Sequence, residues 1–258
     1  MTRCVLIAPV GWYEKRLLTS IYRSGADKIY LIIGKNGPYE TITTKVAERL
    51  REALPPSLDV SADEIADFRV YTDVLKTFAK IIEMERKADK KARIIVDITS
   101  STKDGAIAAS LVARLYDVSI SYIPRGEKEK WIRKLGEKDP DEILKTLLKD
   151  DVDDPGGKYI RYKITSTPIL KEKWMAALEV LYENGSSPMR KLVKKIIKKT
   201  GESKKMAASQ RYWGRVFHDL EDELFVELHR VNRHTCVELT DVGKAFTEGV
   251  LKGKGVAK

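Results

Sequence analysis

A run of small hydroxyl residues in the first half of the chain has a composition suited to anion binding. Residues 97–103 read Asp-Ile-Thr-Ser-Ser-Thr-Lys and lie between an apolar segment, 93–96, and a Gly- and Ala-rich segment, 104–113. If a strand ends and a helix begins here, backbone N–H groups and hydroxyls meet at a helix N-terminus, where phosphate binds readily. Lys103 would oppose the helix dipole, and a bound phosphate would remove that penalty. The alternative is an ordinary helix cap with a solvated lysine whose charge Asp104 offsets.

Apolar segments of strand length alternate with helical patterns around this run. Strands are predicted at 5–9, 29–33, 93–98 and 118–123, with a short one within 58–65 and another at 159–164. Apolar residues at helical spacing predict helices at 12–23, 41–54, 68–86 and 102–116. Repeated β-α units with short apolar strands predict an α/β fold with a doubly wound, mostly parallel, Rossmann-like sheet. We expect a first domain at residues 1–165 and a second at residues 166–258.

The charge of the chain is concentrated in the second of these parts. The formal net charge is +10, and residues 186–215 contain ten basic residues and a single acid, Glu202. Such a concentration favours a polyanionic partner such as nucleic acid. The alternative is that Lys194, Lys195, Lys198 and Lys199 form a solvated helix face, as most charge runs do.

Composition also argues against several classes of protein. The two cysteines, Cys4 and Cys236, are far apart, and there are three histidines and no Cys-x-x-Cys pattern, so neither a disulfide framework nor a zinc site is expected. No signal peptide or membrane-length apolar segment is apparent. We expect a soluble cytoplasmic protein with no membrane partner, metal or cofactor.

The second part has the pattern of a winged helix-turn-helix domain. Helices are predicted at 171–183, 188–200 and 202–223, strands at 225–229 and 235–239, and a last helix at 241–251. Ser187-Pro188 is interpreted as an N-cap followed by proline at the first helical position. Three helices, a hairpin and a further helix follow the winged helix order.

Two segments of this part resemble winged helix transcription regulators. Residues 239–245, Leu-Thr-Asp-Val-Gly-Lys-Ala, resemble the signature after the wing, and residues 220–226 resemble the exit of the recognition helix. The resemblance implies binding of double-stranded DNA, with phosphates neutralised by cations and bases contacted from the recognition helix. The candidate DNA-binding residues are Lys204, Lys205, Ser209, Gln210, Arg211 and Arg215, with Arg230 and Arg233 at the wing tip.

The first part resembles the CRISPR-associated Rossmann fold (CARF) family. Its fourth-strand motif has an acidic residue or Asn, then Thr or Ser, two small residues, Thr and Lys, which residues 97–103 match with Ser100-Ser101 in place of the more common glycine pair. The loop at residues 9–13, Pro-Val-Gly-Trp-Tyr, matches the position of the family's other ligand loop. A CARF domain joined to a winged helix resembles archaeal CRISPR-associated transcription regulators of the Csa type.

This resemblance implies a homodimer with a cyclic oligoadenylate bound in a cleft between its two Rossmann domains. Ligands also bind at the carboxyl ends of parallel strands on general grounds. The serine pair and Thr102 would bind phosphate or ribose, Lys103 would supply charge, Gly11 would permit close approach, and Trp12 or Tyr13 would stack on a base. An interface role for Trp12 is the alternative, and Asp97 would orient the loop. The candidate ligand-binding residues are Val10, Gly11, Trp12, Tyr13, Asn36, Gly37, Tyr39, Thr99, Ser100, Ser101, Thr102 and Lys103.

The combined hypothesis is a ligand-responsive transcription regulator of CRISPR-Cas genes with no catalytic residues. Ligand binding would change how the two winged helices fit their DNA half-sites. Arg211 and His218, with six residues between them, also fit the motif of HEPN ribonucleases, but those domains are helical and residues 225–239 read as a hairpin. Ring opening of a cyclic ligand would need a general base, and none is evident. A regulator that senses another small molecule is the other alternative, although no Gly-x-Gly-x-x-Gly or Walker pattern follows a strand.

Overall fold

A six-stranded sheet forms the centre of the N-terminal part. The computed structural model describes residues 2–12, 14–35, 38–124, 160–163, 172–201 and 206–255. The strands are β1 (Cys4–Pro9), β2 (Lys28–Gly34), β3 (Asp59–Ala66), β4 (Arg93–Asp97), β5 (Ser119–Tyr122) and β6 (Ile160–Lys163). They lie in the order β3-β2-β1-β4-β5-β6. All neighbours are parallel except β6, which runs antiparallel to β5.

Helices cover both faces of this sheet because its strands are apolar on both sides. The helices are α1 (Glu14–Ser24), α2 (Pro38–Ala53), α3 (Tyr71–Ala88) and α4 (Lys103–Tyr116). Leu6 and Ala8 share one core cluster with residues of α1 and α2, whereas Val5 and Ile7 share another with residues of α3 and α4. Alternate residues of β1 therefore face opposite layers. The predicted doubly wound α/β sheet is confirmed.

The start of α3 differs from the prediction because its preceding residues form a loop. The helical pattern predicts a start at Phe68, but α3 begins at Tyr71. The carboxylate of Asp73 accepts a hydrogen bond from the N–H of Asp67 at 2.8 Å, and the carboxylate of Asp67 accepts one from the N–H of Arg69 at 3.0 Å. These hydrogen bonds between backbone N–H groups and side chains stabilise a loop conformation before the helix. Residues 67–70, the β3 loop, are thereby left at the end of β3.

The C-terminal unit, described at residues 172–201 and 206–255, contains four helices and a small antiparallel sheet in those ranges. In chain order it contains α5 (Glu172–Asn184), β7 (Ser187–Pro188), α6 (Met189–Thr200), α7 (Met206–Asp222), β8 (Val226–Val231), β9 (His234–Leu239) and α8 (Asp241–Gly253). The interpretation of Ser187-Pro188 as an N-cap followed by a helical proline is wrong. This pair forms a strand against Cys236 and Val237 of β9, and Pro188 itself caps α6. The assignment of this unit to the winged helix class stays a prediction.

Helix α8 joins the two units through unusually close backbone packing on α3. A Cβ atom on Gly249 would overlap the carbonyl oxygen of Lys76, and one on Gly253 would overlap that of Lys80. On another face of α8, a Cβ atom on Gly243 would overlap the backbone of Phe225 inside the C-terminal unit. One continuous cluster of buried apolar residues runs from the α3 face of the sheet into the C-terminal unit. The two described units therefore share a core.

Further contacts reinforce this junction. Arg114 of α4 forms an ion pair with Glu223, and the rings of Tyr116 and Phe246 lie 6.0 Å apart. The predicted boundary at residues 165 and 166 lies outside the described residues. No helix within the described ranges is both long and apolar enough to cross a membrane.

We expect Gly249→Ala to destabilise the protein despite the better helix propensity of alanine. The new methyl group must push α8 away from Lys76, which should lower the free energy of unfolding by about 1–3 kcal/mol. Urea denaturation of the full chain measures this change.

The control for this prediction is Gly214→Ala in α7. There a Cβ atom would meet only the sulfur of Met189, at 3.9 Å. Alanine should therefore stabilise the chain by about 0.5–1 kcal/mol through helix propensity alone. Equal stabilisation by both variants would contradict close packing at Gly249.

Candidate functional site

A cavity of about 390 Å³ lies at the carboxyl edge of the sheet. It is formed where β1 to β4 end, because parallel strands bring all their carboxyl ends to one edge. The loops that follow these four strands all contribute to its wall. The lining residues are Val10, Gly11, Trp12, Gly34, Lys35, Tyr39, Thr43, Asp67, Phe68, Arg69, Thr99, Ser100, Ser101 and Thr102.

Most of the predicted ligand-binding residues within the described ranges line this cavity. Lys103 does not line it, and its exposed side chain lies in the first turn of α4. Three further predictions, Tyr13, Asn36 and Gly37, fall outside the described residues. The residues brought together are Val10, Gly11, Trp12, Tyr39, Thr99, Ser100, Ser101 and Thr102.

The sequence prediction named Tyr39 after β2 but missed Lys35, and it missed the whole contribution of β3. Lys35 directly follows β2, and the β3 loop places Asp67, Phe68 and Arg69 in the wall. The polar sequence of β3 indicated a strand only weakly, and Phe68 and Arg69 were included in the helix predicted at 68–86. Their contribution could have been inferred from their position, because residues that follow any parallel strand of this sheet lie at the same edge.

The loops after β1 and β4 contact one another directly. A Cβ atom on Gly11 would lie 2.7 Å from the Cβ of Ser100 and 3.1 Å from its carbonyl oxygen. Glycine at this position was expected to permit close approach of a ligand. The space that it leaves is used at least in part by Ser100, so Gly11 brings the two loops together.

A buried carboxylate fixes the shape of the loop after β4. The side chain of Asp97 is fully buried and accepts hydrogen bonds from the hydroxyls of Ser20, Ser121 and Thr99 and from the N–H of Thr99. Burial raises the pKa of Asp97, and these hydrogen bonds act in the opposite direction. The expected role of Asp97 in orienting the loop agrees with these contacts. Its donors come from α1, β5 and the loop itself.

Arg16 supports the same loop from α1. Its guanidinium donates to the carbonyl oxygens of Thr99 at 3.2 Å and Ile123 at 2.6 Å, and the residue is almost completely buried. The hydroxyl of Thr99 also accepts a hydrogen bond from the N–H of Ile123 at 3.0 Å. The backbone of the loop is therefore held on its inner side, and the serines that follow are left at the cavity.

Two serine hydroxyls at the cavity have unused hydrogen-bonding capacity. The side-chain oxygens of Ser100 and Ser101 are shielded from solvent and have no hydrogen-bond partner within the described part of the chain. Thr102 differs, because its hydroxyl donates to the carbonyl oxygen of Phe68 at 2.6 Å and accepts from the N–H of Gly105 at 3.1 Å. Thr102 is thus the N-cap of α4 and attaches it to the β3 loop. A buried hydroxyl without a partner is costly, and a polar ligand would remove that cost.

The cavity is also lined by an aromatic pair and by charged groups. The rings of Trp12 and Tyr39 are stacked with centroids 5.5 Å apart and planes at 24°. Arg69 forms a bidentate ion pair with Asp67, with both hydrogen bonds at 3.0 Å, and this contact raises the pKa of Arg69. The exposed Lys35 also lines the cavity. The site thus offers aromatic surface, hydroxyl groups and cations to one ligand.

The predicted DNA-binding residues lie on α7 and the β8–β9 hairpin as far as they are described. Arg211 and Arg215 are exposed one helical turn apart, opposite the buried Trp213 and Phe217, and Gln210 is half-buried beside them. Ser209 lies in α7, but its side chain is outside the described set, as are Lys204 and Lys205 entirely. His218, of the alternative ribonuclease pair, shares the exposed face of Arg211 and lies 3.3 Å from Glu221.

The hairpin presents its arginines at its tip. Val231 pairs with His234, which leaves Asn232 and Arg233 as a two-residue turn, with Asn232 at a positive φ of 55°. Arg230 and Arg233 are both exposed. No group of three or more His, Cys, Asp or Glu side chains that could hold a metal ion occurs in the described ranges.

Comparison with known proteins gives one family match in the N-terminal part. A family model described as "HFX_2341_N:-like, N-terminal" matches residues 4–129. This range contains β1 to β5 and therefore every residue that lines the cavity. No curated protein matches the chain.

Solved structures give distant similarities. Csm6 from Enterococcus italicus, bound to cyclic hexa-2'-fluoro-hexa-dAMP, is 12% identical with a TM-score of 0.44 and covers 86% of this chain. Can2 from Sulfobacillus thermosulfidooxidans, in complex with cyclic tetra-adenylate, is 11% identical with a TM-score of 0.36 and covers 95% of this chain. The protein VC1899 from Vibrio cholerae is 11% identical with a TM-score of 0.35 and covers 95% of this chain. The chain spans 56% of the Csm6 structure and 64% of the other two.

We expect Ser20→Ala to destabilise the protein in a pH-dependent way. Above the pKa of Asp97 its buried carboxylate loses one donor in this variant, which should cost about 1–3 kcal/mol of unfolding free energy. The hydrogen bond from Ser20 lowers the pKa of Asp97, so the variant should have a still higher pKa in the folded state. The difference from the wild type should therefore shrink as the pH falls through the raised pKa and the carboxylate is protonated.

The control is Thr19→Ala in the neighbouring position. Its hydroxyl bonds the carbonyl oxygen of Lys15 within α1 at 2.8 Å. Chemical denaturation across a pH series should show little change in this variant. If Ser20→Ala lowered the free energy of unfolding by the same amount at every pH, the Asp97 carboxylate would not be the group that Ser20 stabilises.

Proposed function

We propose that the chain is a ligand-responsive transcription regulator that binds a cyclic oligoadenylate at the edge of the sheet and DNA through its C-terminal unit. The observation that carries the proposal is the cavity with two serine hydroxyls that have no hydrogen-bond partner in the part of the chain that the structure describes. It lies at the switch point of a doubly wound sheet, where β1 and β4 are neighbours and their connections leave in opposite directions. The resemblance of residues 97–103 to the CARF motif supports the choice of ligand.

The lining of the cavity offers groups that suit both the phosphate and the base of a nucleotide. The Ser100 and Ser101 hydroxyls lie beside the N-terminus of α4, where the helix dipole and free N–H groups favour phosphate. The stacked Trp12 and Tyr39 rings offer a flat surface on which a base can stack. Lys35 would add positive charge near the phosphates. In this proposal Lys103 acts from outside the cavity, through its charge in the first turn of α4.

The size of the cavity supports a dimer as the binding species. Its volume of about 390 Å³ lies near the lower end of the range of roughly 300–1,000 Å³ for small-molecule sites. That volume suits a part of a cyclic tetranucleotide. Two copies of the cavity facing one another across a two-fold axis would enclose the whole ring and meet its repeated phosphates with repeated serine pairs.

The C-terminal unit supplies the DNA-binding side of the proposal. Arg211 and Arg215 lie on the exposed ridge of α7, which has the position of a recognition helix before a hairpin. Arg230 and Arg233 at the hairpin tip would reach an adjacent groove. These cations would neutralise phosphates and contact base edges.

The packing of α3 provides a physical connection between the two sites. The β3 loop that lines the cavity leads directly into α3, and α3 packs against α8 through Gly249 and Gly253. A ligand that displaced this loop would move α3 together with the C-terminal unit. In a dimer, such a movement would change the spacing of the two DNA-binding surfaces.

We expect Ser101→Ala to weaken the binding of cyclic tetra-adenylate or cyclic hexa-adenylate about 10-fold, since a hydrogen bond to a charged group contributes about 1.5–3 kcal/mol. Folding should be unaffected, because this hydroxyl has no partner in the described part of the chain. Lys103→Ala should have a smaller effect, since its side chain is exposed and screened by salt. Isothermal titration calorimetry of the full chain measures both.

Ser110→Ala is the matched control for the ligand experiment. Ser110 lies on α4 away from the cavity, and its hydroxyl bonds the carbonyl oxygen of Ala106 at 2.9 Å. Its ligand affinity should equal that of the wild type. Absence of binding of either cyclic ligand to the wild type at micromolar concentration would exclude the proposed ligand class.

We expect the double variant Arg211→Gln with Arg215→Gln to bind duplex DNA about 30-fold more weakly at about 0.15 M salt, which corresponds to two lost phosphate contacts. The control, Arg23→Gln with Arg51→Gln, removes the same charge from exposed positions of α1 and α2 and should change affinity little. Fluorescence anisotropy measures both. Wild-type affinity that does not fall between low and moderate salt would contradict phosphate contacts.

The same preparations test the ribonuclease alternative. Cleavage of single-stranded RNA by the wild type that is lost in His218→Ala would favour catalysis by the Arg211 and His218 pair. We expect no such cleavage.

A further inference from the structure

Helix α6 carries basic side chains that fall into two groups with different surroundings. Lys195 donates to the side-chain oxygen of Asn184, and Lys199 forms ion pairs with Glu183 at 2.8 Å and Glu179 at 3.0 Å. These two lysines, the engaged group, therefore bind side chains of α5, whose last residue is Asn184. The second group, which we call the free α6 face, is Arg190, Lys191, Lys194 and Lys198.

The free α6 face is exposed and has no ionic partner among the described residues. All four of its residues are exposed, and within the described ranges no carboxylate lies at ion-pair distance from them. The interior of the helix is formed by Leu192, Val193 and Ile196. The basic residues of α6 thus differ in whether a neighbouring side chain binds them, although they form one continuous series in the sequence.

Helical geometry explains how the two groups separate. At 100° per residue, Lys195 and Lys199 project to one side of the buried stripe, toward α5. Arg190, Lys194 and Lys198 recur every fourth residue around the other side, with a rise of about 6 Å between them. Three residues of the free α6 face, Arg190, Lys194 and Lys198, therefore form a row of cations directed away from α5. Lys191 lies between this row and Lys195.

The chemistry of this row suits a polyanionic backbone better than a protein surface. No large exposed apolar residue lies on α6, whereas the centre of a protein interface needs buried apolar anchors. Regularly spaced cations without apolar neighbours are what phosphate neutralisation requires. Helix α6 also packs on α7, the helix that carries Arg211 and Arg215.

We infer that the free α6 face is a second DNA-contacting surface, which binds the phosphate backbone of the duplex that α7 contacts. This inference rests on the proposed DNA binding and extends it to a helix with no proposed contact so far. Arg190, Lys191, Lys194 and Lys198 add affinity and fix the orientation of the unit on the duplex. They carry no base specificity, because phosphate contacts are independent of sequence.

The test compares two pairs of lysines on the same helix in the full chain. Lys194→Gln with Lys198→Gln removes two charges from the free α6 face, and Lys195→Gln with Lys199→Gln removes two charges from the engaged group. Both pairs have the same residue type, the same spacing and the same change in net charge. A random-sequence duplex is the probe, and its affinity is measured over a series of salt concentrations.

The first pair should lower affinity about 30-fold at about 0.15 M salt and reduce the slope of log affinity against log salt by about 2. The second pair should leave that slope within error of the wild type. Circular dichroism melting should show that both pairs remain folded, because all four side chains are exposed.

Three outcomes would overturn the inference. If the first pair matches the wild type while Arg211→Gln with Arg215→Gln loses binding, the free α6 face makes no contact and the proposed function stands. If both lysine pairs reduce the slope equally, the effect is one of net charge and not of a defined face. If the wild type binds no duplex at all, the proposed DNA binding fails together with this inference.

Discussion

The shape of the cavity at the edge of the sheet depends on one buried carboxylate. Asp97 is removed from water at the end of β4, and a charge in that position persists only if donors surround it. Ser20, Ser121 and Thr99 supply them, and in doing so they attach α1 and β5 to the loop that follows β4. This network holds the inner side of the loop, so the hydroxyls of Ser100 and Ser101 lie at the cavity with no partner among the described residues.

The second constraint is the backbone contact between α3 and α8. Gly249 and Gly253 lack side chains where the carbonyl oxygens of α3 approach, and the two described units consequently share one core. A flexible linker between two domains would let each respond alone. Here the β3 loop, which lines the cavity, leads into α3, and the C-terminal unit packs on α3 through α8. These elements therefore belong to one packed assembly. The proposed regulation needs such a connection, because ligand binding at the cavity must displace a rigid element in order to move the proposed DNA-binding surface.

Much of the sheet could be predicted because its signals are local. Apolar strand-length runs such as β1 and β4, followed by amphipathic helices, determine a doubly wound α/β sheet. The loop at residues 97–103 could be placed at its edge for the same reason. The polar β3 gave only a weak signal, so the contributions of Asp67, Phe68 and Arg69 to the cavity were missed. Ser187-Pro188 was misinterpreted because its partner, β9, lies far along the chain.

The sequence by itself determined the order of the elements, the polar strand-to-helix turn and the concentration of charge in the C-terminal part. Only the tertiary structure decided which groups remain available for a partner. It engages Thr102 with Phe68 and Gly105, and Lys199 with Glu179 and Glu183, but leaves the Ser101 hydroxyl and Lys194 without partners in the described chain. The physical reason is that hydrogen bonds and ion pairs form between residues distant in sequence, so residue type alone does not reveal whether a polar group is satisfied.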